Sequence, residues 1–165
     1  MSPRAQGLRQ VELLGLRLDG PDPEDARGHR RLRRVDLLCG ELLVVEQVQT
    51  PAGPGEPACG PPKTAKVRRR LPLEDTVVQA IARHLALQPA VNDEPILRTA
   101  TGSRIRRPRF HEVWAQASSR AGLPAGTHWH QLRYFYASAL IRGGADVKVV
   151  MERLGHSSSE ETMRT

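Results

Sequence analysis

His130 and Arg133 stand three residues apart in a segment whose apolar residues, Leu132, Phe135, Tyr136, Ala139 and Leu140, recur at helical spacing. Residues three apart on a helix are neighbours, so the pattern predicts an imidazole and a guanidinium projecting together, opposite the apolar face and away from the core. That pairing suits the handling of an oxyanion. A guanidinium is a planar, permanently charged fork that can grip two oxygens, and an imidazole exchanges a proton near neutral pH. The charge of the whole chain points the same way. Of 165 residues, 25 are Lys or Arg and 18 are Asp or Glu, a net charge of +7 with the six His neutral, which favours nucleic acid as partner. Aromatic residues make up only 4%, so contacts to phosphates are expected rather than base stacking. An ordinary solvated helix face would carry the same His and Arg, and a merely basic surface the same charge.

The elements that must hold these residues can be read outward from them. Gly143 and Gly144 end the first helix, and Asp146 can cap a second with its own stripe of Val147, Val150, Met151 and Leu154. Gly155 stops that helix and leaves His156 in the turn, where the plainer reading is a C-terminal cap. Far upstream, residues 7–18 are apolar nearly all round and predict a buried helix, within which Arg9 and Glu12 lie one turn apart. As a local ion pair they contribute about 0.2–0.5 kcal/mol. Residues 19–34 read as a polar loop with an Arg-rich end that is either solvated or laid along a phosphate backbone. Residues 35–38 and 42–48 read as a hairpin, and residues 50–62 as a loop rich in Pro and Gly. Residues 63–73 form a basic strand with Val67, Arg69 and Leu71 on one side and Lys66, Arg68 and Arg70 on the other. A charged edge strand guarded against aggregation would look the same. Two amphipathic helices follow: residues 72–87, with Val77, Val78, Ile81 and Leu85 inward, and residues 108–121, with Phe110, Val113, Trp114 and Ala117 on one face. Ser158 and Glu161 form a capping box that opens one more helix.

Some classes fall away. Cys39 and Cys59 are isolated and suggest neither a zinc site nor a disulfide framework, in keeping with a reducing compartment. No stretch approaches the roughly 18 apolar residues of a membrane span, so a soluble, cytoplasmic protein without a membrane partner is expected.

Taken together, three stretches resemble the tyrosine recombinases of the phage integrase family, enzymes that break and rejoin DNA. They are the HxLR of His130, Leu132 and Arg133 with the double glycine and LGHSS that follow; the GLRxxE around Arg9 with its leucine-rich continuation; and the KT, Arg-bearing strand and PL between Lys63 and Leu73. The resemblance implies an α+β fold, mostly helical, with a small antiparallel three-stranded sheet. It implies that Arg9 and Arg133 clamp the scissile phosphate, that His130 and His156 bond to it and help manage protons, and that Lys63 protonates the leaving 5′ oxygen. Hairpin register leaves Lys66 as the alternative to Lys63. Lys66, Arg68 and Arg107 are expected to add DNA contacts. The family attacks through a tyrosine, which by alignment belongs one position beyond Thr165; neither Tyr134 nor Tyr136 stands where the family has one. Residues 1–165 are thus expected to be one catalytic domain lacking both ends, with duplex DNA as partner, no cofactor or metal, and a tetramer on DNA for the full-length family. A DNA-binding remnant without chemistry is the competing expectation. A metal phosphoesterase built on His128, His130 and His156 is disfavoured, because no carboxylates cluster near those histidines.

Overall fold

The computed structural model describes residues 7–25, 27, 29–49, 57–61, 68–91 and 93–155. A three-stranded antiparallel sheet lies at its centre, in the order β3 (Val35–Asp36), β4 (Glu41–Val44) and β7 (Arg69–Pro72). Its register sets Val35 opposite Leu42 and Leu42 opposite Leu71. Alternation along β7 buries Arg69 and Leu71 and exposes Arg70 and Pro72, as the period of a strand requires. Proline at the end of an edge strand breaks no ladder.

Leu42, Val44 and Leu71 form the main core with Leu8, Val35, Leu73 and Ile96. Helix α2 (Asp75–Leu87) covers it with Val77, Val78, Ile81 and Leu85, the inward stripe read from the sequence. A second core joins α4 (Trp129–Arg142) to α5 (Val147–Leu154) through Tyr136, Ala137, Leu140, Val150 and Leu154. The third links α1 (Gln10–Leu14) to α3 (Arg107–Arg120), with Leu14 and Phe110 buried beside Trp114 and Trp129. The two indole rings meet edge to face at 5.2 Å. At about 1.5–3 kcal/mol for each fully buried aliphatic or aromatic side chain, these contacts outweigh any propensity of such short elements.

Several expectations are corrected. The helix expected over residues 7–18 is confined to Gln10–Leu14. Gly15 ends it, and a Cβ there would come within 3.4 Å of the Val48 backbone nitrogen, so the chain turns where another backbone approaches. Residues 19–34 are not wholly loop. β1 (Asp19–Pro21) pairs antiparallel with β2 (Arg31–Arg33). The run at 42–48 breaks after Val44, because β5 (Gln47–Gln49) belongs to a different two-stranded sheet with β6 (Ala58–Gly60), which lies inside the stretch read as a Pro and Gly loop. Phe135, Val113 and Val147, expected on inward faces, are exposed, as is Ala117. The helix opened by Ser158 and Glu161 lies outside the described residues.

Candidate nucleic-acid interface

Asp146 caps α5 by accepting the Lys148 N–H at 2.7 Å, and Gly155 ends the helix in the left-handed region at φ 65°. The last carbonyls of α5 lack partners within the helix, and three arginines from distant parts of the chain supply them. Arg69 Nε donates to the Arg153 carbonyl at 2.8 Å. Arg133 Nη2 donates to the carbonyl of Leu154 and its Nη1 to that of Gly7. Arg9 Nη2 reaches the carbonyl of Gly155 at 3.4 Å. Three successive carbonyls therefore gather three guanidinium groups at one helix end, where the dipole is negative.

One carboxylate belongs to this cluster. Glu12 is 1% exposed; it takes both terminal nitrogens of Arg69, at 3.0 and 2.9 Å, and accepts the Arg9 backbone N–H at 2.7 Å. Its second, weaker contact is with Arg9 Nη1 at 3.4 Å. Burial alone would raise the Glu12 pKa, but the hydrogen bonds and charge of Arg69, with help from Arg9, more than offset it and hold the carboxyl below its ordinary range. The group stays ionised.

The segment that presents Arg9 is fastened at each residue. Gly7 binds Arg133, the Leu8 carbonyl accepts Trp129 Nε1 at 3.3 Å, and Arg9 meets Glu12 and Gly155. Gly7 itself is obligatory here. It sits at φ 61°, and a Cβ would lie 2.6 Å from the Tyr136 ring.

From this joint an open cleft of about 920 Å³ runs between α1, α3 and the start of α4. Arg9, Arg107 and His130 line it, together with His111, Thr127 and His128. Arg107 opens α3, beside Arg106 and Arg109, at the positive end of a helix dipole. Arg109 is matched by Glu112 at 2.7 Å. His130 is exposed on the first turn of α4 and stands edge-on to Tyr134, ring centroids 5.0 Å apart.

Of the residues expected from sequence, the fold thus brings Arg9 and Arg133 to neighbouring carbonyls and sets Arg9, Arg107 and His130 on one cleft. Arg133 does not project away from the core, as its helical spacing predicts. It is 3% exposed, its charge lying beneath the surface and held by backbone carbonyls. Arg68 lies elsewhere, paired with Asp22 and Glu24 beside the β1–β2 hairpin. Lys63, Lys66 and His156 fall outside the described residues. Sequence reading treated Glu12 as half of a local ion pair and gave Arg69 no role. Their signal was nonetheless present, since an arginine sharing a strand face with Leu71 and a glutamate inside an apolar segment each need a buried partner.

Comparison with known proteins bears on the family and the fold. The model of the phage integrase family matches residues 31–164. The chain is 45% identical over 67 residues to the tyrosine recombinase XerD of Mycobacterium tuberculosis, a match covering 41% of this chain and 22% of that protein. Over 181 aligned positions it is 26% identical to the tyrosine recombinase XerC 1 of Ralstonia nicotianae, covering 97% of this chain and 55% of that one. Among solved structures, the Tn1549 transposon integrase in complex with circular intermediate DNA superposes with a TM-score of 0.74 at 21% identity, over 97% of this chain and 51% of that one. The XerA recombinase gives 0.69 at 19%, over 98% and 48%. This chain therefore spans about half the length of those structures.

Proposed function

Because the chain belongs to the phage integrase family, we propose that it is the DNA-gripping portion of a site-specific recombinase, holding the scissile phosphate of duplex DNA while the whole protein cuts and rejoins a strand. The observation that carries this reading is the meeting of Arg9 and Arg133 at the carbonyls of Gly155 and Leu154, beside a cleft lined by Arg9, Arg107 and His130. A carbonyl partner orients a guanidinium without cancelling its charge, and Arg9 adds to it only a long ion pair with Glu12 at 3.4 Å, which suits a grip on the nonbridging oxygens of a phosphate. His130 at the cleft wall and His156 after the α5 cap would add hydrogen bonds and manage protons near neutral pH. Lys63, or Lys66 in its place, would protonate the leaving 5′ oxygen. In the whole protein a tyrosine would form the 3′-phosphotyrosyl intermediate. The cationic cluster does the electrostatic work of this mechanism without a metal. A cytoplasmic location belongs to this reading, as does assembly into a tetramer on DNA by the full-length form.

A second reading, DNA binding without cleavage, rests on the two tyrosines of the chain. Tyr136 is 2% exposed and packed in the α4–α5 core, and Tyr134 stands against His130. Neither lines the cleft that holds Arg9. Fluorescence anisotropy with labelled duplex DNA tests the main reading: affinity should fall with salt by a log-log slope of about −0.9 for each phosphate neutralised. Salt-independent binding, or none, overturns it. Incubation with a nicked suicide duplex and a denaturing gel then separates the two readings. No covalent adduct is expected from this chain, and a shifted protein band would identify Tyr134 or Tyr136 as a nucleophile after all.

A further inference from the structure

Arg69 is not among the residues for which the family resemblance supplies a role, yet its guanidinium holds both Glu12 and the end of α5. It sits on β7, opposite Val44 in the register of the central sheet, and is 5% exposed. Its terminal nitrogens hold both oxygens of Glu12, and its Nε holds the Arg153 carbonyl at 2.8 Å. A Cβ added at Gly155 would come to 3.0 Å from Nη1, so the α5 cap rests directly on this side chain. Glu12 in turn accepts the Arg9 backbone N–H.

We infer that Arg69 is a positioning residue for phosphate binding: through Glu12 it sets Arg9, and through the Arg153 carbonyl and Gly155 it sets the end of α5, fixing both from the rigid central sheet. The inference rests on the DNA reading proposed above. It follows from the difference in contact quality. Arg9's own side-chain contacts, at 3.4 Å to Glu12 and 3.4 Å to Gly155, are long, so they orient the guanidinium without immobilising it. Glu12 itself is held by two short, charge-assisted bonds from Arg69. Without Arg69, the buried carboxylate would turn to the nearest remaining cation, Arg9, and draw that guanidinium away from an incoming phosphate.

The test uses the chain itself, a fluorescein-labelled duplex DNA and anisotropy over a salt series. Arg69→Lys keeps the charge and loses the fork. Glu12→Leu/Arg69→Met removes the buried pair without leaving an unpaired charge. Arg9→Ala serves as the reference for losing the clamp. In the double variant, folded by circular dichroism, affinity should drop to the level of Arg9→Ala and the salt slope should shrink by about 0.9, the share of one phosphate. Adding Arg9→Ala to it should then change little, since the contact is already lost. Arg69→Lys should fall between wild type and Arg9→Ala in both readouts. A purely structural Arg69 would lower the melting temperature and leave the salt slope alone. Should the double variant not fold, Arg69→Lys decides: wild-type affinity and slope there overturn the inference. Folded variants with the wild-type slope sink the inference alone, whereas a wild-type chain without salt-dependent binding sinks the DNA reading and the inference together.

Discussion

Two arginine-rich regions of this molecule handle charge in opposite ways. Around the β1–β2 hairpin, Arg17, Arg31 and Arg34 pair with Asp19, Glu46 and Asp93 in one set, and Arg30 and Arg68 pair with Asp22 and Glu24 in another. Five cations meet five anions. At the α5 cap, Arg9 and Arg69 share the Glu12 carboxylate, and Arg9, Arg69 and Arg133 all donate to backbone carbonyls. The density of arginine in the sequence is greater at the hairpin, but the arginines that converge on one helix end are at the cap. An arginine's charge acts on a ligand only when its partners are neutral, and carbonyls are neutral.

The largest test of this contrast is Arg69→Met alone. Glu12 would be left in the core with the Arg9 backbone N–H and the long contact to the Arg9 guanidinium, and removal of one partner from a buried pair costs about 3–5 kcal/mol. Urea denaturation should show that loss; a change below 1 kcal/mol would mean that the joint tolerates an unpaired carboxylate. Arg133→Ala comes next. It orphans the carbonyls of Gly7 and Leu154, at about 1–3 kcal/mol each, and should weaken DNA binding as well, since the charge goes with the bonds. Retained DNA affinity in a folded Arg133→Ala protein would show that only surface cations matter.

A pH series probes the same carboxylate. The pKa of Glu12 is lowered in the folded state from an ordinary 4.5, so its stabilising contribution is complete above that value and is lost as pH falls through the folded one. Wild-type stability should therefore decline on acidification in that window. Glu12→Gln should start less stable at neutral pH and lack that part of the decline; parallel curves for the two proteins would place the acid sensitivity elsewhere.

The smallest effects belong to the hairpin. Arg68 is partly exposed and Glu24 more so, and pairs of that kind are worth at most about 1 kcal/mol. Arg68→Ala should shift stability within that limit and reduce DNA affinity less than Arg107→Ala does, because the Arg68 charge is already matched. The reverse order in a binding titration would turn the comparison around and make the hairpin part of the DNA surface.

Much of this molecule could be read from the chain alone. The α5 limits, Asp146 to Gly155, follow from capping chemistry that acts within a few residues. The inward stripe of α2 and the pairing of β3 with β4 follow from periodicity, which is also local. So does the sharing of one face by Arg69 and Leu71. Which three arginines meet at the α5 cap is a different kind of fact. Helical spacing sent Arg133 to the solvent side of α4, because periodicity ranks a guanidinium as polar and cannot see that Gly7 and Leu154 would bring carbonyls to it. The Arg-rich run before β3 reads from sequence as either solvated or laid along a phosphate backbone, because its partners Glu46 and Asp93 lie far along the chain. Pairing across such distances is set by how the elements pack. The sequence determined the positive charges and the local elements that carry them; the tertiary structure decided which of those charges meet at the α5 cap.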